Sequence, residues 1–172
     1  MASVAEHLVH QLEGAGVRHI YGIVGDSLNP VVDAVRRSKK IRWIHVRHEE
    51  TAAFAAAAEA EITGQLAVCA GSCGPGNLHL INGLYDANRS HLPVLAIASH
   101  IPTSQIGTGF FQETHPDRIF DECSVFSEMI SSSEQVPRVT RSAIQQALSN
   151  HGVAVLTLPG DIADMEVSGN LP

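Results

Sequence analysis

The sequence predicts a doubly wound α/β fold, a mostly parallel sheet with helices on both faces, and three observations lead there. Short continuous apolar runs recur along the chain, as strands buried on both faces do. Between them lie stretches whose apolar residues fall at helical spacing. Segments bearing glycine, proline or acid follow the runs, where such strands hand over to their helices.

Taken in order, Val4, Leu8, Val9 and Leu12 lie on one helical face and stop at Gly14-Ala15-Gly16. The run from His19 to Val24 reads as a buried strand ending at Gly25. Ser27 is a candidate N-cap for a second helix, with Pro30 in its first turn and Val31, Val32 and Val35 as its apolar side. Arg42 to Val46 forms a second strand. After His48-Glu49-Glu50, the alanine-rich stretch from Thr51 to Ala60 has very high helix propensity. Leu66 to Ala70 is the third strand, Gly71 to Gly76 a glycine-rich turn, Asn77 to Asn88 a helix, and Pro93 to Ala98 the fourth strand. His100 to Thr114 has no period and reads as a long loop, of the kind that carries function inside a compact domain. A fifth strand from Val125 to Ile130, a helix from Val136 to Leu148 and a last strand from Ala154 to Leu158 complete the domain. The domain is expected over residues 1–164, with residues 165–172 the start of a linker.

Composition narrows the function. A length of 172 residues with 44% hydrophobic and 17% charged residues describes one folded domain with a sizeable core. Eighteen acids against 11 lysines and arginines give a net charge of −7, which excludes the clustered basic face of a nucleic-acid binder. The one basic cluster, Arg36, Arg37, Lys39 and Lys40, reads as a solvated helix end favoured by the dipole. No run approaches the roughly 18 apolar residues of a membrane span, and the N-terminus lacks a signal-peptide pattern, so a cytoplasmic location is expected. Cys69, Cys73 and Cys123 are odd in number and hold no C-x-x-C pair, which predicts reduced thiols. The ten histidines form no H-x-x-x-H pair on a clear helix, and no metal site is expected on this chain.

Sheets of this kind bind ligands beyond the carboxyl ends of their strands. The loops Val24-Gly25-Asp26, Val46 to Glu49, Ala70 to Gly76, and Ser99 onward therefore converge on one edge. The Gly71–Gly76 turn has neither G-x-G-x-x-G spacing nor a P-loop lysine, and a phosphate cradle and a tight turn without ligand both stay open. Glu49 follows a strand end and heads an alanine-rich helix, an arrangement that holds a carboxyl partly desolvated and available for proton exchange. Glu50 reads as a helix start, Cys73 as a small packed thiol, and His48 either as packing or as a group that tunes Glu49.

The segments Tyr21 to Asp26, Arg47 to Phe54, Gly74-Pro75-Gly76 and Gly109 to Pro116 resemble, in order and spacing, the N-terminal pyrimidine-binding domain of thiamine-diphosphate enzymes. The resemblance runs from the first helix to Leu158-Pro159-Gly160-Asp161. The run from Cys69 to Leu80 resembles most the flavin-dependent branch that oxidises pyruvate with a quinone; acetolactate synthases carry Thr-Ser before the Gly-Pro-Gly.

The resemblance implies that Glu49 hydrogen-bonds the aminopyrimidine ring nitrogen and drives it to an imino form that deprotonates the thiazolium. It implies that Val24, Gly25, Asp26, Ser72, Pro75 and His79 line the pyrimidine pocket, while Phe111 and Gln112 face substrate. It further implies thiamine diphosphate, FAD and Mg2+ as cofactors, pyruvate as substrate, a quinone as acceptor, and acetate and carbon dioxide as products. In the family the diphosphate and metal sit on a domain with a Gly-Asp-Gly motif and a later asparagine pair, and the flavin on a middle domain. Here Gly160-Asp161 is followed by Ile162, so the chain is expected to be inactive alone, as one domain of a longer homo-oligomeric enzyme, a dimer or tetramer with possible attachment to the membrane's inner face. Its crevice and dimerisation face are then expected to be apolar. Two other readings are a natural small subunit of a two-chain 2-oxo-acid decarboxylase or acetolactate synthase relative, and a non-catalytic binding module.

Overall fold

A computed structural model of the chain describes residues 2–167. Six strands, β1 (His19–Gly22), β2 (Arg42–His45), β3 (Ala67–Gly71), β4 (Val94–His100), β5 (Phe126–Met129) and β6 (Val153–Pro159), form one sheet in the order β2-β1-β3-β4-β6-β5. Every pairing is parallel. The inner strands β3, β4 and β6 are buried at every residue, which is why they read as unbroken apolar runs.

The helices are α1 (Val4–Gly14), α2 (Asn29–Ser38), α3 (Glu49–Thr63), α4 (Pro75–Arg89), α5 (Pro116–Ile119), α6 (Val136–Asn150) and α7 (Gly160–Asp164). On one face, α1, α2, α6 and α7 cover a core rich in Leu, Ile and Val. On the other, α3 and α4 lie against each other over an alanine-rich core to which Leu80, Leu84 and Phe120 add bulk. Ala52, Ala53, Ala56, Ala57 and Ala60 form the buried side of α3, so that helix approaches sheet and neighbour closely. A capping box between Ser3 and Glu6 starts α1, and αL residues Lys39 and Gly64 end α2 and α3.

Two expectations change, and two short helices are added. Ser27 does not cap α2: the segment Asp26–Leu28 is a 3-10 turn, Leu28 stands at the N-cap, and the Ser27 hydroxyl is engaged elsewhere. The four- and five-residue helices α5 and α7 carry no readable period. The stretch read as a linker stays docked as far as Val167, since Val4 N–H donates to Met165 O, Val167 N–H donates to Ala2 O, and Ser3 pairs with Glu166. Residues 168–172 of that stretch lie outside the described residues. The basic cluster is a helix end as expected: Arg37 pairs with Glu6 and Asp33, and Lys40 with Glu13.

Candidate functional site

The helix leaving β1 crosses outward to β2, whereas the chain after β2 returns to β3 on the other side of β1. The strand order reverses between β1 and β3, and a crevice opens beyond the carboxyl ends of strands at such a point. The segment after β1 and the turn after β3 meet there. A Cβ on Gly25 would collide with Ser72 Oγ, so the two segments approach within a distance that a side chain forbids.

Ser27 fastens this meeting point. Its Oγ lies 3.0 Å from Ser72 Oγ and 2.6 Å from Ser99 Oγ, and it accepts the Cys73 N–H at 3.1 Å. Ser99 at the end of β4 donates to Gly71 O, and Asn77 Nδ2 donates to Ser99 O at 2.7 Å. One hydroxyl cluster thus ties the ends of β1, β3 and β4 together. Nothing local in the sequence announces it, because the partners of Ser27 are 45 and 72 residues away.

The cleft over this point has a volume of about 500 Å3, within the range of small-molecule sites. All nine residues singled out in the sequence line it: Val24, Gly25 and Asp26 after β1, Glu49 at the start of α3, Ser72, Pro75 and His79 from the turn into α4, and Phe111 and Gln112 from the long loop. Ser27, Cys73 and Gly76 also line it. Glu49 is buried, at 8% exposure, whereas Val24 is half exposed and Phe111 is 78% exposed.

Beside Glu49 two imidazoles follow one another, the first in polar contact with the carboxyl and the second stacked on the first. His79 Nδ1 lies 3.1 Å from Glu49 Oε2, and the His48 ring stacks on His79 with centroids 4.3 Å apart and planes at 27°. His48 also caps α3, its Nδ1 accepting the Glu50 N–H. Both readings of His48 thereby resolve into one position: it packs on the imidazole that contacts Glu49. Asn82 donates to Glu50, which remains a half-buried first-turn acid. The ligating atoms of His48, Glu49 and His79 come within 4.8 Å of one another, a proximity hidden in the sequence because His79 arrives from a different helix. The carboxylate contact and the ring stack account for it.

The remaining wall is the loop. Cys73 Sγ donates to Gln112 Oε1 at 3.4 Å, and Gln112 sits in the left-handed region at φ +66°. Opposite it, Gly74 also has positive φ, and a Cβ there would lie 2.7 Å from Gln112 Cβ. Turn and loop therefore interlock at a place where only glycine fits. A second and larger cleft, about 760 Å3, lies on the other side of the loop and shares Asp26, Ser27, Cys73, Phe111 and Gln112 with the first. His100 borders it, 2% exposed; burial holds its imidazole below the ordinary value, and its Nδ1 has no hydrogen-bond partner among the described residues.

The three cysteines are free thiols, as the sequence predicts. Burial pushes Cys69 up to about 12 and Cys123 up to about 11, so both behave as packed apolar groups. No helix among the described residues is long and apolar enough to cross a membrane.

The family described as "Thiamine pyrophosphate enzyme, N-terminal TPP binding domain" matches residues 2–120. The chain is 62% identical over 160 residues, 93% of its length, to an "Uncharacterized 42.6 kDa protein in isoamylase 3'region" of Pseudomonas amyloderamosa, spanning 40% of that protein. It is 41% identical over 156 residues to the pyruvate oxidase of Lactiplantibacillus plantarum, covering 90% of this chain and 26% of the oxidase. It is 35% identical over 159 residues to the acetolactate synthase isozyme 1 large subunit of Escherichia coli, covering 92% of this chain and 28% of the synthase. The chain therefore spans between about a quarter and two fifths of the length of these relatives.

Proposed function

The chain belongs to the thiamine pyrophosphate enzymes, as their N-terminal TPP-binding domain, and from that premise we propose that its cleft takes the aminopyrimidine of thiamine diphosphate in a longer enzyme that oxidatively decarboxylates pyruvate. The observation that carries the proposal is Glu49, a buried carboxyl on the wall of a cleft that gathers all nine chosen residues.

The residues fit such a ring. A flat heteroaromatic needs an apolar surface against its face and a carboxyl against a ring nitrogen, and Val24 and Glu49 supply these from opposite segments of one cleft. Beside Glu49 the chain leaves room: a Cβ on Gly76 would come 3.2 Å from Glu49 Oε1. His79 holds Oε2, which leaves Oε1 to meet the ligand. When bound, the cofactor supplies the electron sink for decarboxylating a 2-oxo acid.

The chain's own residues do the rest. Glu49 shares a proton with the ring nitrogen, and burial keeps bulk water from competing for it. His79, backed by His48, fixes which way the Glu49 carboxyl faces. Gly25 and Ser72 give the ring a close backbone approach, and Asp26 and Pro75 shape the rim. Phe111 and Gln112 face both clefts, an apolar and a hydrogen-bonding group at the position where a small 2-oxo acid would sit.

FAD, Mg2+, a quinone acceptor, a homo-oligomer and a cytoplasmic enzyme, peripheral to the membrane, belong to this proposal. The greater identity to a pyruvate oxidase than to an acetolactate synthase favours oxidation. The strong match to several acetolactate synthases supports carboligation as the second reading. Incubating the full-length parent protein with pyruvate, thiamine diphosphate, Mg2+, FAD and a quinone separates them: acetate with a reduced quinone is the expected product, and acetolactate would overturn it. In the same assay Glu49→Gln is expected to lower turnover roughly 10²–10⁴-fold with the thermal midpoint unchanged; full turnover in that variant would remove Glu49 from its role.

A further inference from the structure

We propose that Glu113 is the positioning residue of the site: its carboxylate clamps the loop that carries Phe111 and Gln112 and so sets the partition between the two clefts. Its place in turnover rests on the functional reading above; the clamp itself does not.

The loop from Ile101 to His115 has a single 3-10 turn, Thr103–Gln105, at its start, and its backbone donors have few partners in the sheet. Glu113 supplies them. Its Oε1 accepts the Gly107 N–H, and its Oε2 accepts the Gly109 N–H at 2.7 Å and the Phe110 N–H at 3.1 Å. Three main-chain donors thus converge on one carboxylate three to six residues ahead, and the Glu113 N–H returns a bond to Phe110 O at 2.9 Å. The chain from Gly107 to Glu113 becomes a closed ring held by an ionised group.

Two positive-φ glycines, Gly107 and Gly109, let the N–H groups turn inward to this carboxylate. The ring leaves Phe111 and Gln112 at its far side. There Phe111 extends 78% exposed, and Gln112 is locked against Cys73 and Gly74 by its left-handed backbone and by the Cys73 thiol. Phe111 and Gln112 line both clefts, so where the ring sits decides how the 500 Å3 and 760 Å3 spaces are divided. Glu113 itself lines neither cleft and reaches the ligand space only through the loop. At the base of the loop, Asp161 of α7 accepts the Thr103 N–H and the Thr103 hydroxyl, which anchors the end that Glu113 does not reach.

The test compares Glu113→Gln, which keeps the shape and loses the charge, with Glu113→Ala. In the present chain, amide hydrogen exchange followed by NMR should show Gly107, Gly109 and Phe110 exchanging at least about tenfold faster in both variants, with β3 and β4 amides unchanged. In the full-length parent protein, Glu113→Gln should lower kcat about tenfold and leave the half-saturating thiamine diphosphate concentration unchanged. A lost structural support alone would lower the thermal midpoint and weaken cofactor retention instead. Unchanged exchange at the three amides in both variants overturns the clamp. Faster exchange with wild-type kcat overturns the positioning role. A parent protein with no cofactor-dependent turnover overturns the functional reading, and the exchange result then decides the clamp by itself.

Discussion

The cleft has two walls built on different principles. One is the meeting of the β1 and β3 ends, where Gly25 lies against Ser72 and a hydroxyl cluster joins three parallel strands, β3 and β4 among them buried at every residue. The other is the loop from Ile101 to His115, whose shape depends on the carboxylate of Glu113. In the first wall the constraint is spread over many packed atoms, and a change there is felt by the whole domain. In the second it is concentrated in one half-buried charge, so the wall can be altered while the sheet stays as it is. A binding surface that fixes a cofactor suits the first construction, and one that adapts to a reacting substrate suits the second.

The largest expected effect breaks the first wall. Gly25→Val puts a branched side chain where Ser72 already stands and should cost about 2–3 kcal/mol, read as a lower urea midpoint with an unchanged slope. A midpoint within error of wild type would mean that the two segments separate freely. Ser27→Ala is milder. It removes one hydroxyl and leaves the Cys73 N–H without its acceptor, for a loss of about 1–2 kcal/mol in the same titration. If Ser27→Ala is neutral, the cluster orders the cleft without stabilising the domain.

The smallest effect on the fold sharpens the comparison from the other wall. The backbone N–H groups of Gly107, Gly109 and Phe110 hold Glu113 below the ordinary carboxylate value, with a further contribution from His115. A depressed value in the folded chain means that the contribution to loop order is fully present above the ordinary carboxylate range and is lost as pH falls through the lowered value. His100 and Asp117 also lie in this region, and burial keeps His100 neutral to lower pH than usual. Between neutrality and the ordinary carboxylate range, the Gly109 and Phe110 amide shifts should therefore stay constant, then move together at more acid pH. A titration of those two amides at an ordinary glutamate value would show that the clamp is too weak to shift its own carboxylate.

The difference between the walls also explains what the sequence displays. Buried parallel strands appear as apolar runs, and β3, β4 and β6 are legible within one or two residues for that reason. Alanine content foretells α3, which extends two residues earlier and three later than Thr51–Ala60 because His48 caps it and Gly64 ends it. The nine residues that line the cleft are named in the sequence through the resemblance of short segments to a known family, and no local period singles them out. Ser27 is misread because an N-cap is a local pattern and its real partners are distant. The His48–His79 stack and the Glu113 ring are likewise invisible, since one joins two helices and the other is a side chain serving main-chain donors, which no spacing of residue types encodes.

The position of β6 has a consequence for how this chain is made. It lies between β4 and β5, although β5 precedes it in the sequence, and among the described residues β5 pairs with no other strand. Until Val153–Pro159 has left the ribosome, β5 has nowhere to dock and β4 presents one bare edge. The nascent domain therefore passes through an interval with four strands joined and a fifth waiting, which ends when the last strand slides into the gap. That interval is when an unpaired edge meets chaperones or neighbouring chains.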